Sequence, residues 1–190
     1  MVTPKIYVHG SYIGNTGYNN HTRDFLRQLS KHTQVKVRNF TVGDSWAGYT
    51  LTPHDNEPYI NDVDKSLLYK QILYNSHGKL EDFIIYPDKS KEFFPDVNIV
   101  LSETNHHIFY EDYIGPKIAY NVWESTLQPE TFFNQLLKYD EIWVPSKWQR
   151  ECTINQGADP NKVKVVPEGV DIHTFFPEEV EKLEQYNDGR

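Results

Sequence analysis

Apolar residues along this chain recur in two alternating periods. In KIYVHG, Lys5–Gly10, Ile6 and Val8 are β-branched and a glycine stops the run, which predicts a short buried strand. In TRDFLRQL, Phe25 and Leu29 stand four apart with Leu26 beside them and charges elsewhere, which is helical spacing. Between them lies GSYIGNTG, three glycines in eight residues, so the first unit reads as strand, glycine loop, helix. The form then repeats. QVKVRNF (Gln34–Phe40) alternates Val35 and Val37 with Lys36 and Arg38, a second strand. Thr41–Asn61 is rich in Gly, Pro, Asn and Asp and reads as a long excursion. From Asp64, DKSLLYKQILYN sets Leu68 and Ile72 four apart, and a helix is expected there.

The second half is more regular. NIVLSE (Asn98–Glu103) and KIAYNVWES (Lys117–Ser125) are apolar strands that end in polar residues. ETFFNQLLKY is a helix, DEIWVPS (Asp140–Ser146) a strand, and KWQRECTINQG a helix closed by Gly157. Ser146 and Gln149 have the spacing of a capping box. KVKVVPEG (Lys162–Gly169) is the last strand. Strands alternating with helices predict an α/β domain, Rossmann-like and doubly wound, with a mostly parallel sheet and helices on both faces. In such sheets ligands bind beyond the carboxyl ends of the strands. Those ends are Gly10–Tyr18, Glu103–His107, Glu124-Ser125, Pro145-Ser146 and Glu168–Asp171, a polar set with several carboxylates.

Composition narrows the partners. A length of 190 residues fits one domain, or one domain and the start of another. With 38% hydrophobic and 14% aromatic residues, there is enough apolar material for a core. A formal charge of −8 and the absence of any Lys/Arg run exclude a nucleic-acid footprint. Cys152 is the one cysteine, so there is no internal disulfide, and mid-helix it reads as a small packing residue. Neither an apolar leader nor a spanning segment is visible, and a cytoplasmic protein is expected.

Several chemistries fall away on the motifs. GSYIGNTG is not G-x-G-x-x-G, and the second strand ends in Asn39-Phe40 where a dinucleotide site needs an acid. No GK[ST] is present, which excludes a P-loop. Glu103–His107 (ETNHH) lacks the spacing and the second cluster of a metal site, so no metal is expected. His106 and His107 are then sugar or nucleotide contacts, or ordinary loop histidines. Trp143 and Trp148 read as packing residues. Glu124 stands out because partial burial beside Trp123 would lift its pKa towards the range useful in proton transfer. The structural alternative is a carboxylate that caps the next helix or pairs with a lysine.

Two stretches, YNVWESTLQPETFFNQLLKYDEIWVPSKWQRE and GADPNKVKVVPEGVDIHTFFP, resemble the GT-B glycosyltransferases of the family 4 type. The second carries the spaced set Val163, Val165, Pro167, Gly169, Val170, Asp171, Phe175 and Pro177. GYNNHTRDFLRQL is similar to that family's first loop and helix, and only Thr41–Pro95 holds no assignable motif. The resemblance implies one half of a GT-B fold that moves a sugar from a nucleotide-sugar donor to a hydroxyl acceptor, without an essential metal. It places Gly14, Asn15, Gly17, Tyr18 and Asn19 on the cleft, with Glu103, His106 and His107 as further substrate contacts. Glu124 falls where the fold sets a residue that contacts the transferred sugar or acts as base. Residues 1–177 would be the N-terminal, acceptor-side domain, and 178–190 a tail towards a C-terminal donor-binding domain that is missing here. This chain alone is then expected to be inactive. The alternative is a carbohydrate- or protein-binding module built on the same half-domain.

Overall fold

The computed structural model describes residues 3–14, 16–41, 61–74, 80–83, 94–101, 115–172 and 175–177. Its elements are β1 (Lys5–Gly10), α1 (Gly17–Leu29), β2 (Gln34–Thr41), α2 (Asp62–Leu67), β3 (Leu68–Tyr74) and β4 (Leu80–Phe83). They continue as β5 (Val97–Leu101), β6 (Lys117–Tyr120), α3 (Glu130–Leu136), β7 (Glu141–Val144), α4 (Lys147–Asn155) and β8 (Val163–Val165). The strands form one eight-stranded sheet in the order β4-β3-β2-β1-β5-β6-β7-β8. All neighbours pair in parallel except β4, which runs antiparallel to β3 at the edge.

This is the expected doubly wound, Rossmann-like architecture. The chain winds outward from β1 to β4, returns to β5 on the other side of β1, and winds outward again to β8. Strand order therefore reverses between β1 and β5, and a crevice opens at their carboxyl ends. Alternation along β5 divides the core. Ile99 and Leu101 join Val8, Tyr12, Leu26, Val35 and Val37 in one cluster, while Val100 joins Leu136, Tyr139, Ile142 and Val144 in another. Each face of the sheet thus has its own apolar layer.

The expected helix from Asp64 ends early. α2 stops at Leu67, and Leu68 turns extended (φ −66°, ψ 120°) to begin β3 beside β2. A spacing of four fits both the helical period and two steps of a strand, so Leu68 and Ile72 could not separate the two. Thr41 belongs to β2, and the remainder of the expected excursion, 42–60, lies outside the described residues. Strand β6 is shorter than its apolar run. After Tyr120 the Asn121 carbonyl accepts from Gln149 Nε2 at 2.7 Å, a side chain taking the place of a neighbouring strand. For the same reason the capping box at α4 is half made. Ser146 accepts from the Gln149 N–H at 3.1 Å, but the Gln149 side chain is committed to Asn121. Gly157 closes α4 at φ +124°, a conformation that favours glycine. Trp143 packs against the first core cluster, whereas Trp148 is exposed rather than packed. Among the described residues no helix is long and apolar enough to cross a membrane.

Candidate functional site at the carboxyl edge of the sheet

The loop from Gly10 to α1 is tied down from both sides. Asn39, fully buried near the end of β2, accepts the Tyr12 and Ile13 N–H groups on its Oδ1 at 2.8 and 2.9 Å. Arg23, buried on α1, donates through Nη1 to the Tyr12 and Gly14 carbonyls at 2.6 Å each. Donors and acceptors of the same short loop are thus held by two side chains from neighbouring elements. Tyr12 adds a third tie, since its hydroxyl reaches the Asp64 carboxylate at 3.1 Å.

Asp64 is fully buried and accepts from Arg27 Nε at 2.9 Å and Nη2 at 2.6 Å, and from the Asn61 N–H at 2.9 Å. Burial pushes its carboxyl upward, but the Arg27 hydrogen bonds, the Asn61 N–H and the guanidinium charge outweigh burial and hold it below the usual carboxylate range. Burial, and then the Asp64 charge, lift the Tyr12 phenol above the ordinary tyrosine range. This cluster is a brace between α1, α2 and the first loop.

The helix start is similarly engaged. Thr16 caps α1 by accepting from the Asn19 N–H, and Asn19 Oδ1 accepts in return from the Thr16 N–H at 3.0 Å. Asn19 Nδ2 donates to the Ile13 carbonyl at 3.0 Å. Asn19, expected on the cleft, is therefore a buried capping residue whose side chain is occupied. Gly14 needs to be glycine on packing grounds. It sits at φ +133°, and a Cβ there would lie 2.7 Å from Asn19 Oδ1. Gly17 is different, because a Cβ there would meet nothing within 4 Å. It faces open space at the first position of α1, with Tyr18 half-buried beside it.

Glu124 lies four residues past the end of β6 and is exposed. The partial burial expected beside Trp123 is absent, because the chain has already left the sheet and Trp123 turns to Phe132 and to the Leu127 carbonyl. Neither structural role foreseen for Glu124 is found among the described residues. Pro129 is the N-cap of α3, and no described lysine pairs with this carboxylate. Asn15, Glu103, His106 and His107 lie outside the described residues.

Three further residues meet at this edge. His21 on α1 approaches Glu168 with Nδ1 to Oε1 at 3.3 Å, and its ring stands edge-on to Tyr120 with centroids 4.9 Å apart. Tyr120, the last residue of β6, donates its hydroxyl to the Val166 carbonyl at 2.8 Å. Burial, with the Glu168 charge adding to it, raises the Tyr120 phenol above its ordinary range, so it remains a donor. The signal for His21 was present in the sequence. Four residues past Gly17, it lies just beyond the first turn of a helix that begins at the open edge. His9, by contrast, is buried in β1, with Nε2 donating to Asn98 Oδ1 at 3.1 Å. Burial lowers its pKa to about 3, helped by the Arg38 charge and partly opposed by Asn98.

No protein-family model matches the chain, and a search of curated proteins finds no match. Its fold is nevertheless that of known structures. Anabaena HepE in complex with UDP and glucose aligns with a TM-score of 0.54 at 12% identity, over 90% of this chain and 46% of HepE. HepE in complex with UDP aligns with a TM-score of 0.51 at 12% identity, over 90% and 45%. The chain therefore spans about half the length of the structures it matches, and at this identity the likeness establishes the fold.

Proposed function

We propose that this chain is the acceptor-side half of a nucleotide-sugar-dependent glycosyltransferase of the GT-B, family 4 type. The observation that carries the reading is the likeness of nearly the whole chain to about half of a protein solved with UDP and glucose. The ordered motif from Val163 to Pro177 supports the family. Val170, Ile172, Phe175 and Phe176 are all exposed within that motif, apolar surface of the kind a second domain covers.

In this reading the open edge of the sheet receives the acceptor, and the donor nucleotide is held by a second α/β domain. The acceptor hydroxyl oxygen attacks the anomeric carbon as the bond to the nucleotide diphosphate breaks. Glu124, exposed and without a structural partner among the described residues, contacts the transferred sugar or takes the hydroxyl proton. Gly17 leaves room for substrate to approach the start of α1. No metal is assigned to the step. The test compares product formation from a panel of nucleotide sugars and acceptors by this chain and by a form that includes a donor-binding half. Transfer by the longer form alone is expected. Robust turnover by the 190 residues alone would refute the half-domain reading, and no turnover by either form would favour a binding module.

A further inference from the structure

We propose that His21 and Glu168 form an acceptor-binding pair in which Glu168 fixes the imidazole tautomer and His21 Nε2 accepts a hydrogen bond from a substrate hydroxyl. The proposal rests on the glycosyltransferase reading above and assigns it a residue not among the contacts expected from the sequence. The pair is built from three elements. The Tyr120 hydroxyl holds the Val166 carbonyl at 2.8 Å and so fixes the backbone two residues before Glu168. Glu168 reaches His21 Nδ1 at 3.3 Å, and the Tyr120 ring backs the imidazole edge-on.

The Glu168 carboxylate oxygen 3.3 Å from Nδ1 repels a ring lone pair there, so in the neutral ring it favours the proton on Nδ1 and leaves Nε2 as an acceptor. The two ring nitrogens point away from each other, and Nε2 makes no hydrogen bond to any described residue. An acceptor nitrogen at the edge where the sheet opens suits the hydroxyl of a sugar or polyol. Stability does not account for the pair. The Glu168 side chain is 47% exposed, and ion pairs that wet contribute about 1 kcal/mol at most.

The experiment has two arms. In the first, imidazole nitrogen NMR is recorded on this chain with the ring neutral, and His21→Gln identifies the signal. The Nδ1–H tautomer is expected in the wild type and lost in Glu168→Ala. An Nε2–H tautomer in the wild type overturns the proposal. In the second arm, transfer is measured in the form that includes a donor-binding half. His21→Gln and Glu168→Ala should each raise the acceptor KM about tenfold, the scale of one lost hydrogen bond. Wild-type transfer with unchanged acceptor KM in both variants overturns the pair and leaves the glycosyltransferase reading standing. No wild-type transfer overturns that reading, and the pair's substrate role with it.

Discussion

Lowering the pH should destabilise this fold through His9 before any carboxylate titrates. His9 sits on β1, one of the two central strands of the sheet, 5% exposed, with its ring 4.4 Å from Tyr7 and Nε2 committed to Asn98. Its pKa is lowered from 6.5 to about 3 by burial, with the Arg38 charge adding to the shift. The native state therefore binds no proton here at pH values where the unfolded chain does. For a depressed pKa the contribution to stability is complete above the unfolded value and is lost as pH falls towards the folded one. The window runs from 6.5 down to about 3. Between about pH 7 and pH 5 the loss is about 2 kcal/mol, from roughly 1.5 units at 1.36 kcal/mol each. For a domain of this size that lowers Tm by roughly 4–8 °C. The assay is urea unfolding of wild type and His9→Gln at both pH values. The variant lacks the titrating ring, so whatever its absolute stability, its loss on acidification should be smaller by about 2 kcal/mol. Parallel losses in the two proteins would refute the reasoning.

Asp64→Asn should cost roughly 2–4 kcal/mol in chemical denaturation, somewhat below the full range for breaking a buried pair because Arg27 retains contact with water; a change under about 0.5 kcal/mol would show that the brace is dispensable. Gly17→Val should leave Tm nearly unchanged, since a Cβ there meets nothing, yet impair transfer in the form with a donor-binding half. Unaltered kinetics in that variant would return the start of α1 to a purely structural role. Glu124→Gln keeps the shape and removes the proton acceptor; as a base its loss lowers turnover about a hundredfold, and normal turnover would remove Glu124 from the site.

How much of this could be read from the sequence depended on the range of the interaction involved. Runs such as NIVL and EIWV declared themselves as strands because three or four consecutive apolar residues suit a sheet covered on both faces. Gly157 announced the end of α4 through a purely local conformation. LLYKQILY did not declare itself, because its spacing serves two periods and only pairing with β2 selects the strand. Gln149 was read as half of a local capping box, but a carbonyl at the end of β6 competes for its side chain and wins. The candidate site follows the same division. Its place at the carboxyl edge came from the order of elements, whereas the meeting of His21 with Glu168 depends on two ends of the chain arriving together.

Asn39 carries the comparison furthest. At the end of the second strand, a dinucleotide-binding Rossmann domain keeps an acid that receives a ribose hydroxyl. Here the residue is a buried asparagine, and its carbonyl oxygen is filled by two N–H groups of the first loop. Arg23 takes two carbonyls of that loop from the other side, and Thr16 takes the Asn19 N–H. The N–H groups of Tyr12, Ile13, Thr16 and Asn19, donors of the kind that face a diphosphate in a cofactor-binding Rossmann domain, are in this chain spent on rigidity. A loop held in that way is poorly suited to wrap a nucleotide but well suited to present a fixed wall to a substrate that arrives with its own partner. That is the division of labour proposed here, with the nucleotide on a second domain and the acceptor against Gly17, Glu124 and His21. It also locates the informative mutations. Asn39→Asp would place a negative charge among two N–H donors that it can still satisfy, and the loop should keep its shape. Asn39→Leu would orphan both donors, at about 1–3 kcal/mol for each buried group left unpaired. If the loop is a wall rather than a cradle, Asn39→Leu should raise the acceptor KM while leaving donor affinity unchanged. A selective loss of donor affinity would show instead that the nucleotide is bound on this half.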